Sequence, residues 1–158
     1  MTQLCNYTYD EITIGQQARY KRAVREQDIQ LFAAVSGDVN PLHLDAEFAA
    51  TTRFGERIAH GMLTAAFISA ALAMELPGPG TIFMEQSLRF RLPVKIGDEI
   101  TVELEVIEKN DRRKSVALDC RAINQHGKVV VTGTALVIAP DEKLSLPRPA
   151  EPRARIGD

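Results

Sequence analysis

The chain has no tryptophan, only two cysteines and only three histidines in 158 residues. Cys5 and Cys120 lie far apart and form no C-x-x-C pair. That argues against a disulfide framework or a cysteine-based zinc site and fits a reducing compartment. A dominant charge is missing too. The 19 Lys and Arg against 21 Asp and Glu leave a formal net charge of -2, with no general basic field for nucleic acid or anionic lipid. The most apolar stretch, residues 62–76, contains Thr64, Ser69 and Glu75 and falls short of the ~20 residues needed to span a bilayer. The opening MTQLCNYTYDEI has neither a basic n-region nor an apolar h-region. There is no G-x-x-x-x-G-K-[ST], no dinucleotide fingerprint and no G-x-S-x-G elbow. These absences lead to the expectation of a cytoplasmic protein with no nucleic-acid partner and no membrane partner.

What is present is an ordinary globular balance, 45% apolar and 25% charged, in a length that suits one domain. Residues 17–24 form a candidate entry strand. Residues 25–35 follow with Ile29, Leu31, Phe32, Ala33 and Val35, a short helix ended by Ser36-Gly37. Residues 37–60 read as a long excursion with two helical turns at 45–51. Loops of that length inside compact domains are uncommon and often functional, and this one holds two of the three histidines. Residues 62–76 are apolar on nearly every face, which predicts a helix buried on all sides, stopped by Pro77-Gly78-Pro79-Gly80.

Period-two alternation follows around Leu88, Phe90 and Leu92, then Val102, Leu104 and Val106, then Val116, Leu118, Cys120 and Ala122. A last strand runs over residues 129–138. Short turns between these segments predict antiparallel pairing, and one buried helix with four such strands predicts an α+β domain whose curved sheet wraps the helix. The domain is placed at residues 1–139. Residues 140–158 hold four of the eight prolines and are expected to be an extended or disordered tail.

The chemistry, if any, lies in Ser36-Gly37-Asp38-Val39-Asn40-Pro41-Leu42-His43. Five residues of straight helix would put Asp38 and His43 about 140° apart, but Pro41 disfavours helix at Asn40, and a turn there can bring carboxylate and imidazole together. Such a pair can hold a water and move protons near neutral pH. The alternative is that Asp38 and Asn40 cap turns and His43 is an ordinary loop histidine. A second feature is Gly61, placed where the free N–H groups of a helix start can hold a carbonyl oxygen, as in an oxyanion hole. It could equally be a packing glycine, with His60 as the cap. Ser69, eight residues on, falls on about the same helix face as Gly61 and could touch a ligand or bond back to its own helix. His126 sits in a turn, and the three scattered histidines suggest no metal cluster.

Together these residues resemble a known family. S-G-D-V-N-P-L-H at 36–43, then Ala49, is similar to the signature of the MaoC-like (R)-specific enoyl-CoA hydratases. R-I-A-H-G-M-L at 57–63, F-x-x-P at 90–93, G-D-E at 97–99 and V-T-G-x-A at 131–135 match in the same order, over roughly residues 12–140. The likeness is greatest to the short bacterial hydratases that feed polyhydroxyalkanoate synthesis. One departure is Phe32, where the broader signature often has Tyr.

The resemblance implies a hot-dog fold, a homodimer with sheets joined edge to edge, and reversible syn addition of water to a trans-2-enoyl-CoA. Asp38 and His43 would be the catalytic pair and Asn40 a support for the water. The Gly61 N–H would hold the thioester carbonyl, and Ser69 and Leu72 would contact the acyl chain. No metal or cofactor is implied, since coenzyme A belongs to the acyl-CoA thioester substrate. Two readings compete: a 3-hydroxyacyl-[acyl-carrier-protein] dehydratase, and a non-catalytic acyl-thioester-binding hot-dog protein. A hot-dog thioesterase is disfavoured because the helix interior carries only Glu75, at its far end. Arg53, Arg57, Arg89, Arg91 and Arg112 are all candidates for the carrier phosphates.

Overall fold

The computed structural model describes residues 2–157. The entry strand β2 (Gln17–Ala23) leads into α1 (Glu26–Ser36), whose start is fixed by the Asp28 carboxylate accepting the Arg25 N–H at 2.9 Å. Gly37 ends α1 in the left-handed region, φ +76°, which a side chain would resist, and its N–H reaches the Ala33 carbonyl at 2.9 Å. Within the excursion are two short helices, α2 (Pro41–Leu44) and α3 (Ala46–Ala50). The turns foreseen at 45–51 correspond to α3. The sequence reading did not foresee α2. Pro41 occupies its first turn, where the missing N–H matters least, and the Asn40 side chain accepts the Leu42 N–H at 3.1 Å.

The long helix α4 (Gly61–Met74) packs on a five-stranded antiparallel sheet in the order β2-β4-β5-β6-β3, with β3 Ile82–Phe90, β4 Glu99–Asn110, β5 Ser115–Ile123 and β6 Val129–Ile138. Alternation in β4 and β5 sends Val102, Leu104, Leu118, Cys120 and Ala122 inward against Ile68, Ala71 and Leu72 of α4, all of them buried. Charged side chains take the other sheet face, including the Arg19–Glu103 pair at 2.8 Å.

One expectation is corrected. Helix α4 is not buried on all sides: Met62, Ala66, Ser69 and Ala73 form an exposed stripe at 62, 66, 69 and 73, one helix face. The apolar pattern says that the stripe avoids water, but among the described residues nothing covers it. The neighbouring β3 is one of the two edges of the sheet and exposes Ile82, Phe83 and Met84. At the other side of β3, Gly133 lets β6 approach closely: a Cβ there would lie 1.9 Å from the Ser87 carbonyl oxygen.

The C-terminal segment is laid against the domain. Strand β7 (Ser145–Pro147) pairs antiparallel with β1 (Gln3–Cys5). Asn6, 1% exposed, anchors the segment before β7 by donating to the Glu142 carbonyl at 2.8 Å and accepting the Leu144 N–H at 2.9 Å. No helix among the described residues is long and apolar enough to cross a membrane.

Candidate active site

Three elements meet in front of α4. The α1 exit carries Asp38, α2 carries His43, and the segment from Ile58 to Gly61 leads into α4. A carboxylate oxygen of Asp38 and a ring nitrogen each from His43 and His60 all lie within 4.8 Å of one another. Asp38 is exposed, whereas His43 and His60 are 8% and 2% exposed. The carboxylate also accepts the Asn40 N–H at 3.2 Å, so the turn-capping and site-forming readings of Asp38 hold together. Asn40, between the two in sequence, likewise caps α2.

His43 Nδ1 is 2.8 Å from the Ile58 carbonyl oxygen. A carbonyl only accepts, so Nδ1 carries the proton and Nε2 of the neutral ring keeps a lone pair. His60 is oriented the opposite way. Its Nε2 donates to the Asp38 backbone carbonyl at 3.0 Å, and its buried Nδ1 has no partner among the described residues. The two imidazoles stack with centroids 3.9 Å apart and planes 30° apart, and Phe32 closes the column at 4.9 Å from His60.

The sequence reading that the histidines are scattered is thereby corrected, since two of three converge with Asp38. Sixteen intervening residues hid this, and only the packing of α1 against the start of α4 reveals it. Polar atoms within 4.8 Å of one another are close enough to share one water: two groups each ~2.8 Å from one water oxygen stand about 4.6 Å apart at the tetrahedral angle.

Beside this cluster, the Leu63 N–H reaches the His60 carbonyl at 3.0 Å, whereas the N–H groups of Gly61 and Met62 ahead of it have no partner among the described residues. Gly61 opens onto a cleft of about 260 Å³ walled by Phe54, Ile58, Thr64, Phe90, Pro93 and Val131, with Arg53 and Arg91 also on its lining. A Cβ on Gly61 would come within 3.0 Å of the Phe90 ring. Phe90 and Thr64 were not singled out as site residues by the sequence, although Phe90 opens the F-x-x-P motif. A larger hollow of about 560 Å³ lies over the charged outer sheet face at Arg19, Glu103, Asp119 and Arg121, among strand residues that include none of the cluster.

Ser69 stands on the exposed face of α4, and Leu72, 1% exposed, is sealed in the core; neither lines the Gly61 cleft. Among the arginines considered for carrier phosphates, Arg57 is occupied by the Glu26 carboxylate through two hydrogen bonds, at 2.9 and 2.5 Å. That pairing holds the Glu26 carboxyl below its ordinary range and raises the Arg57 guanidinium.

Residues 10–126 match the family described as MaoC like domain. The chain belongs to the MaoC-like family. This MaoC-like chain is 45% identical over 129 residues to a protein of Aeromonas caviae named (R)-specific enoyl-CoA hydratase, an alignment covering 82% of this chain and 96% of that relative. The solved structure of the unliganded R-hydratase PhaJ1 from Pseudomonas aeruginosa superposes with a TM-score of 0.92 at 55% identity, covering 99% of this chain and 100% of that one. A solved (R)-hydratase from A. caviae, described as involved in PHA biosynthesis, matches at 45% identity with a TM-score of 0.79, covering 82% and 98%. The MaoC-like chain therefore has the expected hot-dog α+β fold, with α4 as the wrapped helix.

Proposed function

We propose that this chain is an (R)-specific enoyl-CoA hydratase, a hydro-lyase adding water reversibly across a trans-2-enoyl-CoA to give the (R)-3-hydroxyacyl-CoA. The observation that carries the reading is the Asp38 carboxylate and a His43 ring nitrogen within 4.8 Å of each other, close enough to share one water, beside the start of α4, where His60 provides no side-chain cap. The A. caviae relative bearing that name supports it.

In this reading a single water is held between Asp38 and His43. The Ile58 carbonyl fixes the His43 tautomer, so Nε2 faces the water as acceptor and takes a proton as the oxygen bonds to C3. The electron pair of the C2–C3 double bond moves toward the thioester oxygen, and the Gly61 N–H bonds that developing negative charge. The His43 proton then passes to C2. Oxygen and hydrogen arrive from the same side because one water bound on one face supplies both, which makes the addition syn. Asp38 orients the water and offsets the transient imidazolium charge, and Asn40 keeps the connecting turn in register. No electron transfer occurs, and coenzyme A enters as part of the substrate.

The acyl chain would run along the exposed face of α4 past Ser69, with Leu72 backing that wall from the core. A second copy of the chain, joined through the free edge of β3, would cover the exposed Met62–Ala66–Ser69–Ala73 stripe and the apolar side chains of β3. The role in polyhydroxyalkanoate supply follows the A. caviae description and is part of the same proposal.

The test is hydration of crotonyl-CoA and octenoyl-CoA, followed by loss of enoyl absorbance, for wild type, Asp38→Asn and His43→Gln. Product configuration is read with a stereospecific 3-hydroxyacyl-CoA dehydrogenase. The expected result is an (R) product whose formation nearly vanishes in both folded variants. An (S) product, or turnover indifferent to both substitutions, would refute the proposal. Turnover of carrier-protein thioesters alone would replace coenzyme A with acyl carrier protein.

A further inference from the structure

His60 occupies the residue before α4, a position usually taken by Ser, Thr, Asp or Asn, yet its side chain makes no cap bond. Helix termination therefore does not explain a histidine there. Packing does not explain it either. The ring is 2% exposed with a buried, partnerless Nδ1, a polar atom that a phenylalanine in the same space would not bring. What only a side chain with a donor provides is the hydrogen bond from Nε2 to the Asp38 backbone carbonyl, 3.0 Å. The same ring lies 3.9 Å from the His43 ring, centroid to centroid.

The chain immediately before His60 completes the arrangement. The Ile58 carbonyl takes the His43 Nδ1–H, and Ala59 between them is fixed by its N–H to the Val94 carbonyl at 2.7 Å. Residues 58–60 thus hold His43 from one end and the backbone of Asp38 from the other, one residue ahead of Gly61.

We propose that His60 is a positioning residue for the Asp38/His43 pair. Its Nε2–H pins the turn that carries Asp38, and its ring is the surface against which His43 is kept at the water-holding distance. The proposal rests on the hydratase reading for its kinetic consequence, but not for its geometry. His60 touches no substrate; it acts through the two residues that do.

The test compares His60→Phe, which keeps a ring in the stack and removes the donor, with His60→Gln, which keeps a donor. In crotonyl-CoA hydration, His60→Phe is expected to lower kcat by about ten- to a hundredfold, the scale of a misplaced catalytic group. KM should stay within about threefold, because a group that orients the reacting pair alters the transition state more than ground-state binding. His60→Gln should recover part of the loss, since it restores the donor to the Asp38 carbonyl but not the ring against His43. In an Asp38→Asn background, His60→Phe should cost less than it does in the wild type, since one of the two residues it positions is already disabled.

The proposal is overturned if His60→Phe keeps wild-type kcat while Asp38→Asn does not, or if the loss appears in KM alone. It is also overturned if Gln and Phe lose equally. A readout independent of activity, and of whether the Phe variant folds, is the imidazole tautomer in the wild-type protein. Nitrogen NMR of labelled histidine at pH 8 should show His60 protonated at Nε2 and His43 at Nδ1. The reverse assignment for His60 sinks the proposal. A wild type that hydrates no enoyl thioester sinks the hydratase reading but leaves this tautomer test standing.

Discussion

Replacing Gly61 with alanine separates two things a glycine can do at this position. The added Cβ would stand 3.0, 3.2 and 3.4 Å from three carbons of the Phe90 ring. Carbon pairs rest at ~3.5–4.0 Å, so the ring must retreat by about half an ångström. Phe90 is 53% exposed and can do so at little expense. Against this, alanine gains up to about 1 kcal/mol over glycine within a helix. The two effects oppose each other, so the net stability change should stay within about 1 kcal/mol, or ~2–4 °C in Tm for a chain of this size.

Activity should respond on a different scale. The methyl would occupy the space between Phe90 and the Gly61 N–H, where the thioester oxygen must sit to be held. Removing one such donor costs about 10²–10³ in kcat, near 3–4 kcal/mol. Because the bond strengthens as charge develops, kcat and kcat/KM should fall together. The assay is steady-state hydration of crotonyl-CoA beside a thermal melt, with Gly61→Ala/Phe90→Ala as the control. If displacement of Phe90 caused the loss, the double variant would regain activity. If exclusion of the carbonyl causes it, the double variant stays slow. Turnover within about threefold of wild type in Gly61→Ala would refute the oxyanion role, since no donor of that importance leaves so small a trace.

The glycine of the V-T-G-x-A motif should behave in the opposite way. A Cβ at Gly133 would lie 1.9 Å from the Ser87 carbonyl oxygen and 2.8 Å from Leu88 Cδ2, so Gly133→Ala must part β6 from β3 and should lose ~2 kcal/mol or more in urea unfolding. An unchanged midpoint would show that the strands yield freely. Glu26 has its carboxyl lowered by Arg57, so the pair stabilises the fold above the ordinary carboxylate range, and that contribution fades as pH falls through the lowered value. Arg57→Gln should therefore cost at most about 1 kcal/mol for this partly exposed pair at pH 7, and less as pH falls through the lowered Glu26 value; a difference growing with acid would contradict the sign. Finally, burial pushes the Cys120 thiol up to about 12 while Cys5 is exposed, so one thiol per folded chain should react with a disulfide reagent at pH 8 and two after unfolding. Rapid modification of both in the folded protein would place Cys120 elsewhere.

Legibility from sequence followed the physics of each element. Strands β4 to β6 were readable because one face is wet and one dry, which imposes period two on the residues. The first half of β3, Ile82-Phe83-Met84-Glu85-Gln86, was not, because an edge strand with exposed apolar side chains shows no such alternation. Helix α4 was found, but its exposed stripe was not: hydrophobicity reports that a face avoids water and not which molecule covers it. Strands β1 and β7 are three residues each and pair across nearly the whole chain, so neither carries a local signal. At the site, Pro41 and the S-G-D-V-N-P-L-H motif led to Asp38 and His43, whereas His60 was seen only as a possible cap.

The remaining motif residues can be understood as one construction. Ala59 is bonded to Val94, and Ile58 is bridged to Lys95, so the R-I-A-H-G segment rests on the chain just after F-x-x-P and just before G-D-E. Asp98 accepts the Lys95 N–H at 2.8 Å and closes that turn. Arg57 ties the same segment to Glu26 at the start of α1, whose other end releases Asp38. Phe90 closes over Gly61, and Gly133 lets β6 lie close enough to β3 to place Phe90 there. Three separated stretches of sequence thereby fix the height of one five-residue segment, and that segment fixes His43, the backbone of Asp38 and the free N–H of Gly61 in turn. A substitution at Asp98 should then disturb turnover without touching Asp38, His43 or Gly61, because it loosens the support on which all three are mounted.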